Sequence, residues 1–321
     1  MSKCGENLIL GVDGGGTNTI AWIAEIENSG AVQVIGRGRG GSSNIHGVGT
    51  ETALQNLDEA IQDAFQSANT PPAMVAAASF AMAGSDRETE RKEIQKWAFR
   101  RFISKTVSVS NDALPVIYAA NHLGVGIGLI AGTGSFCLGR SEDGQTCRCG
   151  GWGSLFGDEG SGYSIAVSAL RAASRDEDQR GPATILRQSL LEKIGMDSLN
   201  QAVSYLYSRS TTRAEIASLT DLVFNAADGG DSIAMEILSS AAASLAELVV
   251  TIGNRQFHDH PTWCVAMGGG LLINQEEFID QVTKQIETTS NRTINRVIVN
   301  DPVTGVMNMA HELYLNSSGL T

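Results

Sequence analysis

Apolar positions in the first seventy residues follow two spacings, one typical of strands and one typical of helices. Three apolar segments separated by turn residues are predicted as an antiparallel strand meander: residues 8–14, 18–26 and 31–36. The spacing then becomes helical, because apolar residues recur three and four positions apart. A helix is therefore predicted at about 48–68, with its apolar face formed by Leu54, Leu57, Ile61 and Phe65. Both patterns together indicate an α/β protein.

The rest of the first half alternates strands with helices. A strand is predicted at 74–81, a helix at 87–102 and a short strand at 107–110. That strand ends at Asn111-Asp112, where a further helix is predicted to begin with Asp112 at or near its N-cap.

The second half repeats this order of elements. The predicted elements are strands near 127–131, 135–140 and 145–149, a helix from Ser161, mostly helical chain over 183–256, strands at 263–267 and 296–299, and a last helix from about 304. The repeat indicates a weak internal duplication without a linker. We predict two domains, 1–122 and 123–321, with a hinge between them and a last helix that can pack back on the first.

The charge balance limits the partners of the chain. It has 321 residues, with 23 Lys and Arg against 35 Asp and Glu and a net charge of −12. So acidic a chain argues against nucleic acid or an anionic membrane as its main partner. Positive potential for an anionic ligand would have to come from backbone N–H groups and a bound cation.

Neither a leader segment nor a membrane span is expected. Residues 1–6 are short and polar, and we find no apolar run of about 18 residues. Five cysteines, an odd number in a chain of this size, fit a reducing compartment. The sequence therefore predicts a cytoplasmic protein.

A glycine-rich turn follows the first predicted strand: Asp13-Gly14-Gly15-Gly16-Thr17-Asn18. Because glycine has no Cβ, the N–H groups of such a turn can approach an anion closely. Thr17 and Asn18 add side-chain donors, and Asp13 can lie near a metal ion. The alternative is a tight hairpin that binds nothing, since short glycine motifs are common.

A second turn of this kind follows the first strand of the second half: Gly132-Thr133-Gly134-Ser135. Two phosphate-type hairpins, one in each half of the chain, favour a nucleotide held between two lobes. The P-loop pattern Gly-x-x-x-x-Gly-Lys-[Ser/Thr] does not occur in the sequence, so a P-loop enzyme is not expected.

Two other motifs lack the context that their chemistry needs. Residues 36–41 match the dinucleotide pattern Gly-x-Gly-x-x-Gly, but no helix begins inside the match. We interpret them as a flexible segment leading to Ser42-Ser43-Asn44. Cys147 and Cys149 form at most half of a zinc site, and we interpret them as structural.

Carboxylates occur at two positions that suit a site. Asp112 follows a predicted strand, although a plain N-cap is the alternative. Asp158 and Glu159 lie near Trp152 in a glycine-rich segment before a helix. Carboxylates beside an aromatic ring suit a sugar, whereas the alternative is an acidic loop that caps the helix. Gly268-Gly269-Gly270 could admit a base or ribose, or could form a helix-entry turn.

Taken in order, these segments resemble the sugar kinase–heat-shock ATPase–actin superfamily. Within it the chain is similar to the BadF/BadG/BcrA/BcrD-type ATPase family, and most to its N-acetylglucosamine kinase branch, from about residue 8 to 315. The motifs that carry the resemblance are Gly11-Val12-Asp13-Gly14-Gly15-Gly16-Thr17, Asn111-Asp112-Ala113, Gly132-Thr133-Gly134-Ser135, Gly150-Gly151-Trp152-Gly153 and Gly157-Asp158-Glu159-Gly160-Ser161. The resemblance implies an α/β fold of two ribonuclease H-like lobes, the actin-like ATPase fold, with a central nucleotide and sugar cleft.

The resemblance also implies a role for each matching position. Asp112 matches the catalytic base, and Asp13 would reach Mg²⁺ directly or through water. The implied ATP and phosphate positions are Asp13, Gly14, Gly15, Gly16, Thr17, Asn18, Gly132, Thr133, Gly134, Gly268, Gly269 and Gly270. The implied sugar positions are Ser43, Asn44, Asn111, Asp112, Ser135, Gly151, Trp152, Gly153 and Asp158.

The chain departs from the family pattern at two places. Phe136 follows the second turn where mammalian-type N-acetylglucosamine kinases carry Asn, which could remove a sugar contact. Leu271-Leu272-Ile273 replace the polar residues often found after the third glycine motif, so the adenosine contacts there stay open.

The function implied by the resemblance is ATP- and Mg²⁺-dependent phosphorylation of an amino sugar, with N-acetylglucosamine as the favoured substrate and its 6-phosphate as product. Glucosamine, N-acetylmuramic acid and glucose stay open as substrates, and a homodimer is compatible with the sequence. The alternative is a BadF-type ATPase that activates a 2-hydroxyacyl-CoA dehydratase-like partner through an iron–sulfur cluster. Such activators carry a cysteine before the second turn, whereas Cys137 follows it here. A non-catalytic sugar sensor is a third interpretation.

Overall fold

The computed structural model describes residues 5–83, 85, 88–208 and 210–319, which fall into two units. The first unit contains the chain up to Val125 together with the segment from Asp301 onward, and the second contains Gly126–Asn300. The chain therefore returns to its first unit for its last helix.

The first unit is built on a five-stranded sheet. Its strands are β1 (Leu8–Gly14), β2 (Asn18–Ile26), β3 (Val32–Gly41), β4 (Ala77–Met82) and β5 (Val107–Ser110). They lie in the order β3-β2-β1-β4-β5, with β1, β2 and β3 antiparallel and β4 and β5 parallel to β1. The carboxyl ends of the three parallel strands therefore lie at the same end of the sheet.

The helices of this part of the chain are α1 (Ile45–Val48), α2 (Thr50–Ser67), α3 (Glu88–Arg100) and α4 (Leu114–Ala120). One core cluster contains Leu57 of α2 and Ile94 of α3 together with Leu10 and Phe80 of the sheet. The helix predicted at 87–102 corresponds to α3, and its predicted first residue, Arg87, lies outside the described residues.

The segment 36–41, which the sequence predicts to be flexible, is the second half of β3. A Cβ on Gly38 would lie 2.1 Å from the carbonyl oxygen of Ala60, and a Cβ on Gly40 would lie 2.2 Å from that of Asn56. The backbone of α2 thus rests directly on alternate residues of the strand, and a side chain there would prevent this contact. The prediction was wrong because these glycines are contact points and not breaks in the strand.

The second unit repeats the sheet of the first. Its strands are β6 (Gly126–Ala131), β7 (Ser135–Arg140), β8 (Thr146–Gly150), β9 (Thr262–Gly268) and β10 (Thr293–Ile298). The order is β10-β9-β6-β7-β8, again a meander of three antiparallel strands followed by two parallel ones. The two sheets therefore share one topology, as the repeated order of elements in the sequence predicts.

Helices α5 to α12 surround this second sheet. They are α5 (Gly162–Glu177), α6 (Leu186–Ile194), α7 (Leu199–Leu206), α8 (Arg213–Ala217), α9 (Thr220–Asp228), α10 (Ser232–Gln256), α11 (Gly270–Asn274) and α12 (Glu276–Ser290). Within the described ranges, α10 is the one helix whose length and composition would allow it to span a bilayer, although no such apolar segment was expected. It packs on β6, β7 and β8 and buries Leu245, Val249 and Ile252, as the core helix of a globular domain does.

The last helix, α13 (Val303–Ser318), belongs to the first unit. It packs on β1, β4 and α4. Met307 and Ala310 form a core cluster with Ile9 and Ala77, on the face of the sheet opposite to the cluster that contains Leu10. Both faces of the first sheet are thus covered, one by α2 and α3 and the other by α13.

Candidate active site

The first glycine-rich turn connects β1 to β2, and its tip is open to solvent. The N–H of Gly15 donates to the carbonyl of Asn18 at 2.9 Å and closes the turn. Gly16, Thr17 and Asn18 are exposed. Their side chains are therefore open to solvent, and binding of phosphate by this turn stays a prediction.

Ser43 and Asn44 lie after β3, beside this turn. Ser43 is fully buried, its hydroxyl accepts from Thr19 at 2.8 Å, and a Cβ on Gly14 would lie 2.4 Å from its Oγ. The Oδ1 of Asn44 accepts the N–H of His46 at 3.1 Å and caps α1. Both side chains thus hold the backbone around the turn, and sugar binding by either residue stays a prediction.

Asp13 lies among carboxylates at the carboxyl end of the first sheet. It is the last residue but one of β1, Asp112 follows β5, and Asp301 lies just before α13. Burial, the charge of Asp112 and the charge of Asp301 raise the pKa of Asp13 to about 7. Titratable groups with strongly shifted pKa values are common in functional sites, so this group is the best candidate for catalysis in the first unit.

Asp112 lies near the N-cap of α4, as the sequence predicts, one residue before it. The N-cap of α4 is Ala113, and the Oδ1 of Asn111 accepts the N–H of Leu114 at 3.2 Å. The capping interaction therefore belongs to Asn111, and the structural alternative for Asp112 is weakened. Asp301 was missed, because nothing in the sequence brings residue 301 next to residue 13.

The second turn connects β6 to β7 and is bonded to the start of α5. The N–H of Gly132 donates to the carbonyl of Gly134 at 2.9 Å, and the N–H of Gly162 donates to the carbonyl of Gly132 at 2.8 Å. The hydroxyl of Ser135 is almost fully buried and donates to the carbonyl of Glu159 at 2.7 Å. Ser135 thus holds the loop that carries Asp158, and its contact with a sugar stays a prediction.

A cavity of about 270 Å³ opens beside the second turn, within the second unit. This volume is close to the lower end of the roughly 300–1,000 Å³ that is usual for ligand pockets. Gly132 and Thr133 line one side, and Gly270 lines another. α8, α9 and their connection form a third side, and α5, α11 and the residue after α11 complete the wall. The residues of the third side are Ala214, Ala217, Ser218, Thr220, Asp221 and Phe224, and the others are Gly162, Leu271, Asn274 and Gln275.

The topology explains why the second and third glycine motifs meet here. β9 is parallel to β6, with Gly268 paired to Ile130, so both motifs follow the carboxyl ends of neighbouring strands. Gly269 has a φ of +91°, and a Cβ there would lie 2.4 Å from the carbonyl oxygen of Ala131. Glycine is therefore required at this position. The α8–α9 wall was missed, because small residues in short helices form no recognisable motif.

The loop after β8 presents an aromatic ring to solvent. Trp152 is 73% exposed, and the guanidinium carbon of Arg148 lies 5.7 Å from the centre of its ring and 5.7 Å from that of Phe136. Arg148 also donates to the carbonyl of Gly150 at 3.1 Å and to that of Gly151. Beside the ring, Gly150, Gly151 and Gly153 each have a left-handed φ. The Arg148 side chain thus holds the turn that displays Trp152.

Asp158 is the buried carboxylate of this loop. Its φ is +60°, and its carboxylate Oδ2 accepts from Arg213 at 2.7 Å. A Cβ on Gly134 would lie 3.1 Å from the same oxygen, so the carboxylate packs on the second turn. Arg213 belongs to no motif in the sequence that would mark it as a site residue. Binding of a sugar hydroxyl by Asp158 stays a prediction, and it would have to coexist with this ion pair.

The donor set permits Mg²⁺ but offers no complete protein cage. The structurally described segments contain no group of three or more His, Cys, Asp or Glu side chains that could hold a metal ion. Mg²⁺ commonly needs few protein carboxylates, because phosphate oxygens and water complete its coordination. The acidic group around Asp13 fits this mode, since a cation there would relieve the repulsion between the carboxylates. Cys137, the cysteine considered for an iron–sulfur cluster, is fully buried in β7.

Comparison with known proteins identifies the family of this chain. The model of the BadF/BadG/BcrA/BcrD ATPase family matches residues 10–307. The chain belongs to that family. Among curated relatives, it is 31% identical over 276 residues to an N-acetylmuramic acid/N-acetylglucosamine kinase of Clostridium acetobutylicum, covering 86% of this chain and 89% of that one. It is 32% identical over 263 residues to an N-acetyl-D-glucosamine kinase of Dictyostelium discoideum, covering 78% and 80%.

Solved structures support the fold of this family member. A structure from Chromobacterium violaceum aligns with a TM-score of 0.73 and 24% identity over 96% of this chain and 99% of that one. The ROK hexokinase from Thermus thermophilus aligns with a TM-score of 0.58 and 14% identity over 97% and 99%. The predicted fold class, an α/β protein of the actin-like ATPase and sugar kinase type, is therefore confirmed.

Proposed function

We propose that this protein is an ATP-dependent kinase that phosphorylates an amino sugar, with N-acetylglucosamine as the favoured acceptor and its 6-hydroxyl as the site. The observation that carries the proposal is the group of Asp13, Asp112 and Asp301 at the carboxyl end of the first sheet, where burial of Asp13 and the charges of Asp112 and Asp301 raise the pKa of Asp13 to about 7. The names of both curated relatives point to the same acceptor class.

The proposed chemistry assigns separate tasks to the carboxylates. Asp112 accepts the proton of the sugar hydroxyl as the phosphoryl group is transferred. Asp13 would hold Mg²⁺, directly or through water. When bound, Mg²⁺ neutralises charge on the phosphate oxygens, which phosphoryl transfer requires. Backbone N–H groups at the tips of the two glycine-rich turns bind the remaining phosphate oxygens.

The proposed nucleoside site is the cavity beside Gly132 and Gly270. The small side chains of Ala214, Ala217 and Ser218 leave room in its wall for a flat base or a ribose, and Gly270 lines it without a side chain. For the sugar, we propose that the exposed ring of Trp152 packs on its C–H groups and that Asp158 accepts one hydroxyl.

Four further predicted sugar positions, two asparagines and two serines, already make hydrogen bonds within the protein, and these bonds differ between the two pairs. Asn44 and Asn111 use Oδ1 to cap helices, so their amide nitrogens stay as donors to a sugar. The hydroxyls of Ser43 and Ser135 are buried and bonded to Thr19 and to Glu159. These two serines hold their loops in place, and their predicted contact with the sugar would have to be made from those bonded positions.

A cytoplasmic location is part of the proposal. The four cysteines in the described ranges, Cys137, Cys147, Cys149 and Cys264, are free thiols. Free thiols are typical of proteins that work in a reducing compartment.

An ADP-release assay over a panel of free sugars tests the proposal. We expect ADP release to rise strongly with N-acetylglucosamine, with phosphosugar formed in equal amount by mass spectrometry. Glucosamine, N-acetylmuramic acid and glucose serve as comparison acceptors. ADP release that is unchanged by every sugar in the panel would overturn the kinase assignment.

A further inference from the structure

Arg213 lies between the loop after β8, which carries Trp152 and Asp158, and the wall of the proposed nucleoside cavity. Its Nη2 donates to the Asp158 Oδ2 at 2.7 Å, and its guanidinium carbon lies 5.5 Å from the centre of the Tyr163 ring. The side chain of Asp158 is 7% exposed, whereas that of Arg213 is 51% exposed. The guanidinium is thus held between a buried carboxylate and an aromatic ring, at the edge of solvent.

The ion pair stabilises Asp158 in a conformation and a degree of burial that are unfavourable for an aspartate without a partner. Asp158 has a left-handed φ of +60°, which is unfavourable for a residue with a side chain. A buried carboxylate also needs a partner for its charge. Arg213 provides that partner, and the carboxylate packs on Gly134 of the second turn.

The helix that carries Arg213 also lines the cavity. Arg213 is the first residue of α8, and the next turn of this helix contributes Ala214 and Ala217 to the cavity wall. A capping box between Thr212 and Glu215 fixes the start of the helix. The position of Arg213 therefore follows the position of the cavity wall.

We propose that Arg213 is a positioning residue that holds Asp158 for the sugar and couples sugar binding to occupation of the nucleoside cavity. A ligand in the cavity fixes α8, α8 fixes Arg213, and Arg213 fixes the Asp158 carboxylate. An ionised carboxylate can accept at both oxygens, so Oδ1 binds a sugar hydroxyl while Oδ2 stays paired with Arg213. This inference rests on the proposed kinase function.

Calorimetric titration of N-acetylglucosamine, with and without a non-hydrolysable ATP analogue and Mg²⁺, tests this coupling. We expect the analogue to tighten sugar binding to the wild type by about 5-fold or more. In Arg213→Met we expect sugar binding to weaken by about 10-fold or more in the presence of the analogue, and the effect of the analogue to disappear. Arg213→Lys keeps the charge but loses the planar fork, so it should recover part of both effects.

The matched control is Arg180→Met, because Arg180 pairs with Asp178 at the same 2.7 Å but both side chains are exposed. It should leave sugar binding and the coupling unchanged. Nucleotide affinity without sugar should change less than about 3-fold in Arg213→Met, which separates a positioning role from general damage to the second unit. If Arg213→Met does not fold, a normal coupling in Arg213→Lys contradicts the proposal, and a weakened one supports it.

The results also separate this inference from the function on which it rests. Sugar affinity and coupling within 2-fold of the wild type in Arg213→Met would reduce Arg213 to a surface ion pair, while sugar-dependent ADP release by the wild type would still support the kinase. Weaker sugar binding with the coupling intact would overturn the coupling. A wild type that neither binds a sugar nor releases ADP in its presence would overturn both.

Discussion

Asp13 lies at the end of a buried strand, where burial and the charges of Asp112 and Asp301 raise its pKa from 3.8 to about 7. Between these pH values the folded chain holds a proton that the unfolded chain has lost, so the free energy of unfolding falls as the pH rises through this interval. Asn cannot ionise, so Asp13→Asn should not lose stability in this way as the pH rises. We expect the variant to be more stable than the wild type at pH 8, by roughly 2–4 kcal/mol.

The measurement is thermal unfolding of both proteins from pH 4 to pH 8. The difference between their Tm values should become small toward pH 4. At that pH the side chain of Asp13 is protonated in the folded wild type and is therefore uncharged, like that of Asn. Asp228→Asn, at an exposed aspartate, is the control and should show no such gap. A lower Tm for Asp13→Asn at pH 8 would mean that the ionised carboxylate stabilises the fold.

Asp112 is the residue on which the proposed chemistry depends. Asp112→Asn keeps the shape of the side chain but removes its ability to accept a proton. We expect kcat to fall by about 10²–10⁴-fold, with the KM for the sugar within a few-fold of the wild type. Stability at pH 8 should not fall, because one of the charges that repel Asp13 is removed.

Steady-state ADP release and thermal unfolding provide these two readouts for Asp112→Asn. Asp228→Asn again serves as the control for loss of a carboxylate. Turnover within a few-fold of the wild type would place the general base elsewhere in the molecule.

Among the elements, the contact between β3 and α2 depends most closely on residue size. A Cβ on Gly38 would lie 2.1 Å from the carbonyl oxygen of Ala60 and 2.3 Å from the nitrogen of Ala64, and neither backbone atom can move alone. We expect Gly38→Ala to lower the free energy of unfolding by roughly 1–3 kcal/mol, measured by urea denaturation. Gly47→Ala is the control, because the nearest atom to its Cβ would be 3.9 Å away. Equal midpoints for the two variants would show that α2 can shift away from the strand.

The same contact shows how far the hydrophobic pattern can predict this fold. Strands with buried apolar residues, such as β1 and β9, match their predicted ranges within a residue or two. β3 was predicted to end at residue 36, because the residues that follow are glycine and arginine and not apolar. The strand in fact continues to Gly41. Glycine at a helix–strand contact and glycine in a loop look alike in a sequence, and only the packing of α2 distinguishes them.

The candidate site was predictable where it consists of local motifs. Both glycine-rich turns and Asp112 lie at the carboxyl ends of strands, as short segments of sequence can indicate. Asp301 and Arg213 were not predictable. Asp301 acts on Asp13 and Arg213 pairs with Asp158, and in both cases the two residues are distant in the sequence. A single charged residue at the start of a helix also usually lies on the surface, so its position does not indicate a site. The α8–α9 wall of the cavity has no chemical signature at all.

At the scale of the whole molecule, one sheet topology carries different residues at equivalent strand ends, and our proposal gives them different tasks. In the first unit the carboxyl ends of the parallel strands carry Asp13 and Asp112, which are suited to proton transfer and a metal ion. In the second unit the corresponding ends carry Gly132 and Gly270, which are suited to close backbone contact with a nucleotide. The duplication therefore supplies equivalent positions, and the residues at these positions set the task of each unit.

The chain also returns to its first unit after completing the second, so residues near the C-terminus stabilise strands near the N-terminus. Met307 of α13 is 4% exposed and packs on β1, where Gly11 leaves room for it: a Cβ on Gly11 would lie 2.6 Å from the Met307 sulfur. The side chain belongs to the cluster that includes Ile9 and Ala77. The stability of β1 should therefore depend on a residue almost three hundred positions away.

Met307→Ala tests this dependence. The truncation leaves a cavity against a strand that cannot collapse onto it, and we expect a loss of roughly 2–5 kcal/mol in the free energy of unfolding of the first unit. Hydrogen exchange should accelerate in β1 and β4, while β6 and β9 keep their protection, because they belong to the other unit. Met235→Ala, at a methionine of α10 that is 55% exposed, is the matched control and should change neither. Equal acceleration in β1 and β6 would show that the two units unfold together, and the division of the chain into separately stable units would then be wrong.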